Sequence, residues 1–215
     1  MSGIKHWSHA NSFVRKTGES LSWKVGERIR ATPRRRHFLL DFPNGSVCAE
    51  IGVFQGEFTR HILEVTEPRE LHLIDGWWDL YGEVFPDWGA YTEFGHLGTH
   101  QAYDDAQDVV ARVVSPSTKV ETHVGDDCEI LETFADGYFD WVYLDASHQY
   151  EDTVKELEVL SRKVKCDGII AGDDWMDDPN DVNGGAGVAI FEFCLANNWI
   201  VDRRDNFNQW RISKR

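Results

Sequence analysis

Three carboxylates and one imidazole stand where strands should end, and their spacing suggests proton and metal chemistry. The apolar run 139–145 ends in Asp145, and His148 follows three residues later. The run 168–173 ends in the pair Asp173-Asp174. If these runs are neighbouring parallel strands, all three carboxylates crowd at one sheet edge and repel unless protonated or bound to a cation. Oxygen donors of this kind suit Mg²⁺, Mn²⁺ or Ca²⁺ better than zinc. Asp145, Asp173 and Asp174 are therefore candidate ligands of a divalent ion, Mg²⁺ first. A neutral imidazole beside them can take a proton from a hydroxyl, and an ion on that hydroxyl would lower its pKa. That makes His148 the candidate catalytic base. Asp177 and Asp178, on the following loop, read as solvated.

A second constellation lies earlier in the chain. The apolar run 46–51 carries Glu50 near its end and leads into a loop with Gly52 and Gly56, then a helical pattern. A buried parallel strand entering a helix through a glycine turn reads this way. Gly52 permits the sharp turn, Gly56 permits close approach of a ligand, and the helix N-terminus offers free N–H groups. About twenty residues on, the run 71–75 ends in Asp75, placed to accept hydrogen bonds from a ribose diol. The pair indicates a nucleoside cofactor. A dinucleotide site would want G-x-G-x-x-G, whereas the order here is E-x-G-x-x-x-G, which would set a carboxylate against a pyrophosphate. Asp126 and Asp127, after the run 119–124, offer a helix N-cap, with one carboxylate left over for another contact.

The loop pattern Glu50-x-Gly52-x-x-x-Gly56 followed by Asp75 resembles motif I of the class I S-adenosylmethionine-dependent methyltransferases. The runs Y-L-D-A-S-H-Q-Y-E-D-T-V-K-E-L-E (143–158) and D-G-I-I-A-G-D-D-W (167–175) resemble the macrocin and mycinamicin type of sugar O-methyltransferase. Cephalosporin-hydroxylase-like relatives share the same likeness. The resemblance runs from about residue 46 to the end. It implies a Rossmann-like fold with S-adenosylmethionine held by Glu50, Gly52 and Gly56 at its methionine end, Asp75 at the ribose and Asp126 at the adenine. It also implies Mg²⁺ on Asp145, Asp173 and Asp174, with His148 deprotonating a hydroxyl on a small molecule or sugar. Asp173 departs from the Glu found there in some relatives. An NAD(P)-dependent oxidoreductase and a non-catalytic binding protein on the same scaffold are the rival readings.

To position these residues the chain must alternate strands and helices. The strands expected are 46–51, 71–75, 119–124, 139–145, 168–173, 199–203 and 208–213. The helices expected are 57–65, 99–114, 127–134, 150–164 and 186–197. Such alternation makes an α/β fold with a mostly parallel sheet. Asp205-Asn206-Phe207 reads as a hairpin turn, so the last of seven strands runs antiparallel. Residues 1–42 read as an N-terminal helical appendage, helical within 25–40, and 43–215 as the main domain. An aromatic insertion at about 76–98, rich in Trp77, Trp78 and Trp88, has no period and reads as a lid over the cleft.

The net charge of −15 argues against nucleic acid as a partner, and Arg34-Arg35-Arg36 reads as a solvated helix face. No apolar run approaches the roughly 18–20 residues of a membrane helix. Residues 1–16 carry no hydrophobic core of a signal peptide, so a cytoplasmic location is expected. Cys48, Cys128, Cys166 and Cys194 are too widely spaced for a metal motif and read as buried free thiols. The nine Trp suggest an aromatic-lined surface. The oligomeric state is open between monomer and homo-oligomer.

Overall fold

The structure is a computed structural model that describes residues 35–175 and 185–215. Most of the expected N-terminal appendage, and Asp177 and Asp178, lie outside the described residues. A helical turn at 35–38 runs into a 3₁₀ turn, Leu39–Asp41. The chain then alternates β1 (Val47–Ile51), α1 (Glu57–Thr66), β2 (Glu70–Asp75), α2 (Trp77–Tyr81), α3 (Thr99–Val113), β3 (Lys119–Val124) and α4 (Asp127–Glu132). It continues through β4 (Phe139–Leu144), α5 (Tyr150–Lys163), β5 (Val164–Gly172), α6 (Gly185–Asn197), β6 (Trp199–Arg204) and β7 (Trp210–Lys214).

The seven strands form one sheet in the order β3-β2-β1-β4-β5-β7-β6. All neighbouring pairs are parallel except those made by β7, which lies antiparallel between β5 and β6. Every residue of β1 is buried, as a central strand covered on both faces requires. On one face Cys48, Leu73, Trp141 and Tyr143 pack under Phe58 and Ile62 of α1 and Ala102 and Ala106 of α3. On the other, Ala49, Ile51, Val142 and Ile170 pack under Leu157 of α5 and Ile190 of α6. Period-two alternation along each strand thus feeds two helix layers.

Four expectations are corrected. First, β5 begins at Val164 rather than 168, because its pairing with β4 slips between Phe139 and Trp141 and admits extra residues. Cys166 lies in that irregular stretch and is exposed, while Cys48 and Cys194 are buried. Second, the indoles mostly fill the core. Trp77, Trp141, Trp175, Trp199 and Trp210 are all buried, and only Trp88 is strongly exposed among the described residues. Third, the aromatic segment, expected to be without regular structure, holds short elements: α2, a bridge between Val84 and Gly98, and a 3₁₀ turn at Gly89–Thr92. These spans are too short to show a period in sequence. Fourth, Arg35 is not on a solvated face, as the site shows.

Candidate active site

The strand order reverses between β1 and β4, and in open α/β sheets ligands bind outside the carboxyl ends at such a switch point. The two loops that leave these strands touch. Gly52 has φ of +83°, and a Cβ there would lie 2.0 Å from the carbonyl oxygen of Asp145. The Asp145 N–H in turn donates to the Ile51 carbonyl at 2.7 Å. Gly52 is therefore needed both for its left-handed backbone and for this close approach. Gly56, at φ +75°, is left-handed too. The space denied to a side chain there is filled by Ala106 of α3, 2.9 Å from the would-be Cβ. The missing side chain at Gly56 thus lets α3 pack closely against the loop.

On the β1–β2–β3 side, each predicted acid is satisfied by groups close to it in sequence. Glu50 is 1% exposed and accepts a hydrogen bond from the Thr59 hydroxyl at 2.5 Å. Burial pushes its carboxyl up to about 8, the Thr59 bond opposing and nearby Asp145 adding to the rise. Asp75 accepts the N–H groups of Val53 (2.8 Å) and Phe54 (2.7 Å) on Oδ2 and that of Trp77 (3.0 Å) on Oδ1. Burial raises its carboxyl above the ordinary range, and those backbone donors hold it back. With the Gly76 N–H also directed at this carboxylate, the loop backbone itself supplies donors for most of its acceptor positions. The Trp77 indole donates to the Phe54 carbonyl at 3.0 Å, closing the turn further. Phe54 packs edge-on against Phe85, 5.1 Å between centroids, which ties the glycine loop to the aromatic segment. Asp126 is exposed and caps α4, accepting from the Glu129 N–H at 2.9 Å.

On the β4–β5 side the three aspartates do not converge on one cation point. Arg35 Nη2 donates to Asp145 Oδ2 at 2.6 Å and also pairs with Asp173 Oδ2. Its guanidinium lies over the Phe58 ring, 5.2 Å from the centroid. Burial alone would lower the guanidinium's pKa, but Asp145 and Asp173 outweigh burial and raise it. Burial also raises the Asp173 carboxyl, with Arg35 opposing the rise. Of the expected Mg²⁺ set of Asp145, Asp173 and Asp174, the first two share the Arg35 guanidinium as a counter-charge. The groups that do converge are Asp145, His148 and Asp174, each offering a ligand atom within 4.8 Å of the others. His148 Nε2 lies 3.2 Å from Asp174 Oδ2 and 3.7 Å from Asp145 Oδ1. Asp174 has φ of +58°, an uncommon conformation that turns the chain at the end of β5. The strand end is fixed further by the Trp210 indole, which donates to the Asp173 carbonyl at 2.9 Å.

Arg35 is the site residue that sequence reasoning missed. Its contacts span 110 and 138 residues. The one available signal was the demand for a cation among three crowded acids, next to a chain whose only basic triplet precedes β1.

The family model described as "Methyltransferase domain" matches residues 49–175, the stretch that holds both halves of this cleft except Arg35. The chain belongs to the methyltransferase-domain family. No curated protein matches it. Among solved structures it is similar to cofactor-bound Rv0187 from MTB, at 15% identity and TM-score 0.56, over 85% of this chain and 78% of that one. It is also similar to a SAM-dependent methyltransferase from Aquifex aeolicus, at 14% identity and TM-score 0.56, over 84% and 87% of the two chains. A putative caffeoyl-CoA O-methyltransferase from Staphylococcus aureus matches at 13% identity and TM-score 0.54, over 85% and 81%. At these identities the likeness concerns the Rossmann-like fold, which the seven-stranded sheet shares. No described helix is long and apolar enough to cross a membrane.

Proposed function

We propose that this methyltransferase moves a methyl group from S-adenosylmethionine to a hydroxyl oxygen of a small molecule or sugar, in the manner of the macrocin-type enzymes. The residues present fit that cofactor. The glycine turn sits at the switch point, Asp75 is fixed at the β2 tip by the backbone amides of the loop, and Glu50 stands buried beside the loop. Asp126, exposed at the α4 N-terminus, would face the adenine. Bound there, S-adenosylmethionine supplies an electrophilic methyl on a sulfonium.

The observation that carries the reading is His148, flanked by Asp174 and Asp145, at the edge where the Gly52 loop touches the Asp145 backbone. A base in that position takes the acceptor's O–H proton, and the two carboxylates stabilise the imidazolium that forms. Arg35 holds Asp145 and Asp173 in place without contributing a proton. Catalysis then rests on orientation more than on any covalent intermediate.

A second reading is favoured by the 4.8 Å convergence of Asp145, His148 and Asp174. These three would hold a divalent ion that acidifies the acceptor hydroxyl when bound. One imidazole with two carboxylates suits Mn²⁺ or Zn²⁺ better than Mg²⁺. Turnover of a hydroxyl acceptor in excess chelator separates the two: full rate leaves His148 as the base, and loss of rate makes it a ligand. In either case His148→Ala should lower turnover by about two to four orders of magnitude while S-adenosylhomocysteine still binds calorimetrically. Undiminished turnover in the folded variant removes the assignment.

A further inference from the structure

The outer edge of the sheet carries a second cluster, made by β2 and β3 and separate from Asp145, His148 and Asp174. His72, midway along β2, pairs in register with Glu121 of β3, and Ile74 pairs with His123. His72, Glu121 and His123 therefore project from the same face. His72 Nδ1 lies 3.0 Å from His123 Nε2 and 3.6 Å from Glu121 Oε2. Each of the three offers a ligand atom within 4.8 Å of the others. We propose that this edge is a metal site that takes one first-row divalent ion, Zn²⁺ in the first instance, on His72 Nδ1, His123 Nε2 and Glu121 Oε2.

Three features support the assignment. Two zinc–nitrogen bonds of about 2.0–2.1 Å at a tetrahedral angle put their nitrogens about 3.3 Å apart. The imidazoles need separate by only a few tenths of an ångström to receive the ion. Next, His72 is 1% exposed, and its other nitrogen, Nε2, is buried without a hydrogen bond, yet lies 3.3 Å from Glu70 Oε1. Metal-bound histidines commonly direct their second N–H at a carboxylate, which fixes the tautomer and leaves the opposite lone pair for the metal. Glu70 is placed for that, short of good alignment. Finally, Lys119 binds Glu121 Oε1 at 2.6 Å and Glu70 Oε1 at 2.9 Å. It neutralises the surplus acid and orients Glu121 while leaving Oε2 free for the ion. Phe134, Tyr138 and Phe139 close the apolar side around His72. Burial lowers the pKa of both histidines, so they are neutral, the form that binds metal. With three protein donors, the fourth position is left to water.

The test uses the full chain, stripped with chelator, dialysed, and titrated with Co²⁺ and then Zn²⁺. Wild type should show the visible absorption of tetrahedral Co²⁺ and, with Zn²⁺ at a hundredfold over its Kd, a Tm rise of about 5–10 °C. His123→Ala and Glu121→Gln should each bind one ion fewer than wild type and lose the Tm rise. His148→Ala, in the cleft, should keep both signals, which separates this site from any ion bound by Asp145 and Asp174. Glu121→Gln changes only one half-exposed side chain on an edge strand, so it tests the site even if His123→Ala folds poorly. Equal stoichiometry in wild type and both edge variants, or no Zn²⁺ binding by wild type, overturns the proposal and leaves the imidazoles as a neutral hydrogen-bonded pair.

Discussion

The two halves of the cleft solve the same electrostatic problem differently. At the ends of β1, β2 and β3, Glu50, Asp75 and Asp126 are answered by Thr59, by the amides of Val53, Phe54 and Trp77, and by the amide of Glu129. All of these partners lie within about one β–α unit of the acid. At the ends of β4 and β5, Asp145 and Asp173 are answered by Arg35, from the opposite end of the chain. Neutral donors can satisfy a buried carboxylate when it keeps its proton or accepts several N–H bonds. Two carboxylates facing each other need a charge. The first half is held by local contacts; the second depends on a contact with a chain-distant segment.

Gly52 is where the halves meet, so its substitution should have the largest effect. In Gly52→Ala the new methyl would fall 2.0 Å from the Asp145 carbonyl oxygen, at a backbone φ of +83°. Overpacking and left-handed strain together should cost about 3–5 kcal/mol, read by chemical denaturation. A loss under about 1 kcal/mol would mean that the loops can separate freely, and the contrast between them would lose its structural basis.

Arg35→Met isolates the second half. It leaves Asp145 and Asp173 without a counter-charge, and breaking a buried pair typically costs 3–5 kcal/mol. Because the Arg35 side chain keeps 26% exposure, about 2–3 kcal/mol is expected at pH 7. The Asp173 carboxyl, already raised by burial, should rise further once Arg35 is gone. A raised carboxyl stabilises the fold in its protonated form, so the variant should regain stability as pH falls. Added Mn²⁺ should stabilise the variant more than wild type, since the acids would then accept the ion. No metal effect would show that the aspartates are positioned by packing alone.

This division also explains what could be read from the sequence. The strands β1 to β4 followed from short apolar runs, the helices from the stretches between them and the closing hairpin from its turn residues, all of which survive in one dimension. So did the positions of Glu50, Asp75 and Asp145 at strand ends. What did not survive was anything fixed by chain-distant contact. Arg35 looks like one member of a surface triplet until β4 and β5 bring their aspartates to it. The fit of Gly56 against Ala106 likewise needs α3 in place, and Trp77 reads as a lid residue until its indole is seen bonded to the Phe54 carbonyl. Short elements such as α2 left no period to read.

Asp75 sharpens the first half. Asp75→Ala removes the acceptor for three loop amides as well as the proposed ribose contact. The affinity for S-adenosylhomocysteine should fall by about 1.5–3 kcal/mol, the range for hydrogen bonds to a charged group. Calorimetry on the folded variant measures it. An unchanged affinity would confine Asp75 to holding the loop.

Glu50 gives the smallest effect and one of unusual sign. Its carboxyl sits at about 8 in the folded protein against an ordinary value of 4.5, chiefly because burial disfavours the charge. A raised folded pKa means stability that is fully present below 4.5 and is lost as pH rises toward 8, because the unfolded chain ionises first. At pH 7 the folded carboxyl is still mostly protonated while the unfolded one is charged. Gln has the same shape and no such ionisation, and its amide oxygen can still accept the Thr59 hydroxyl. Glu50→Gln should therefore stabilise the protein by about 1–3 kcal/mol at pH 7 and by almost nothing at pH 4. Denaturant midpoints at the two pH values measure the difference directly. A variant equally destabilised at both would show that Glu50 is ionised in the fold. The first half of the cleft would then need its own cation, as the second half needs Arg35.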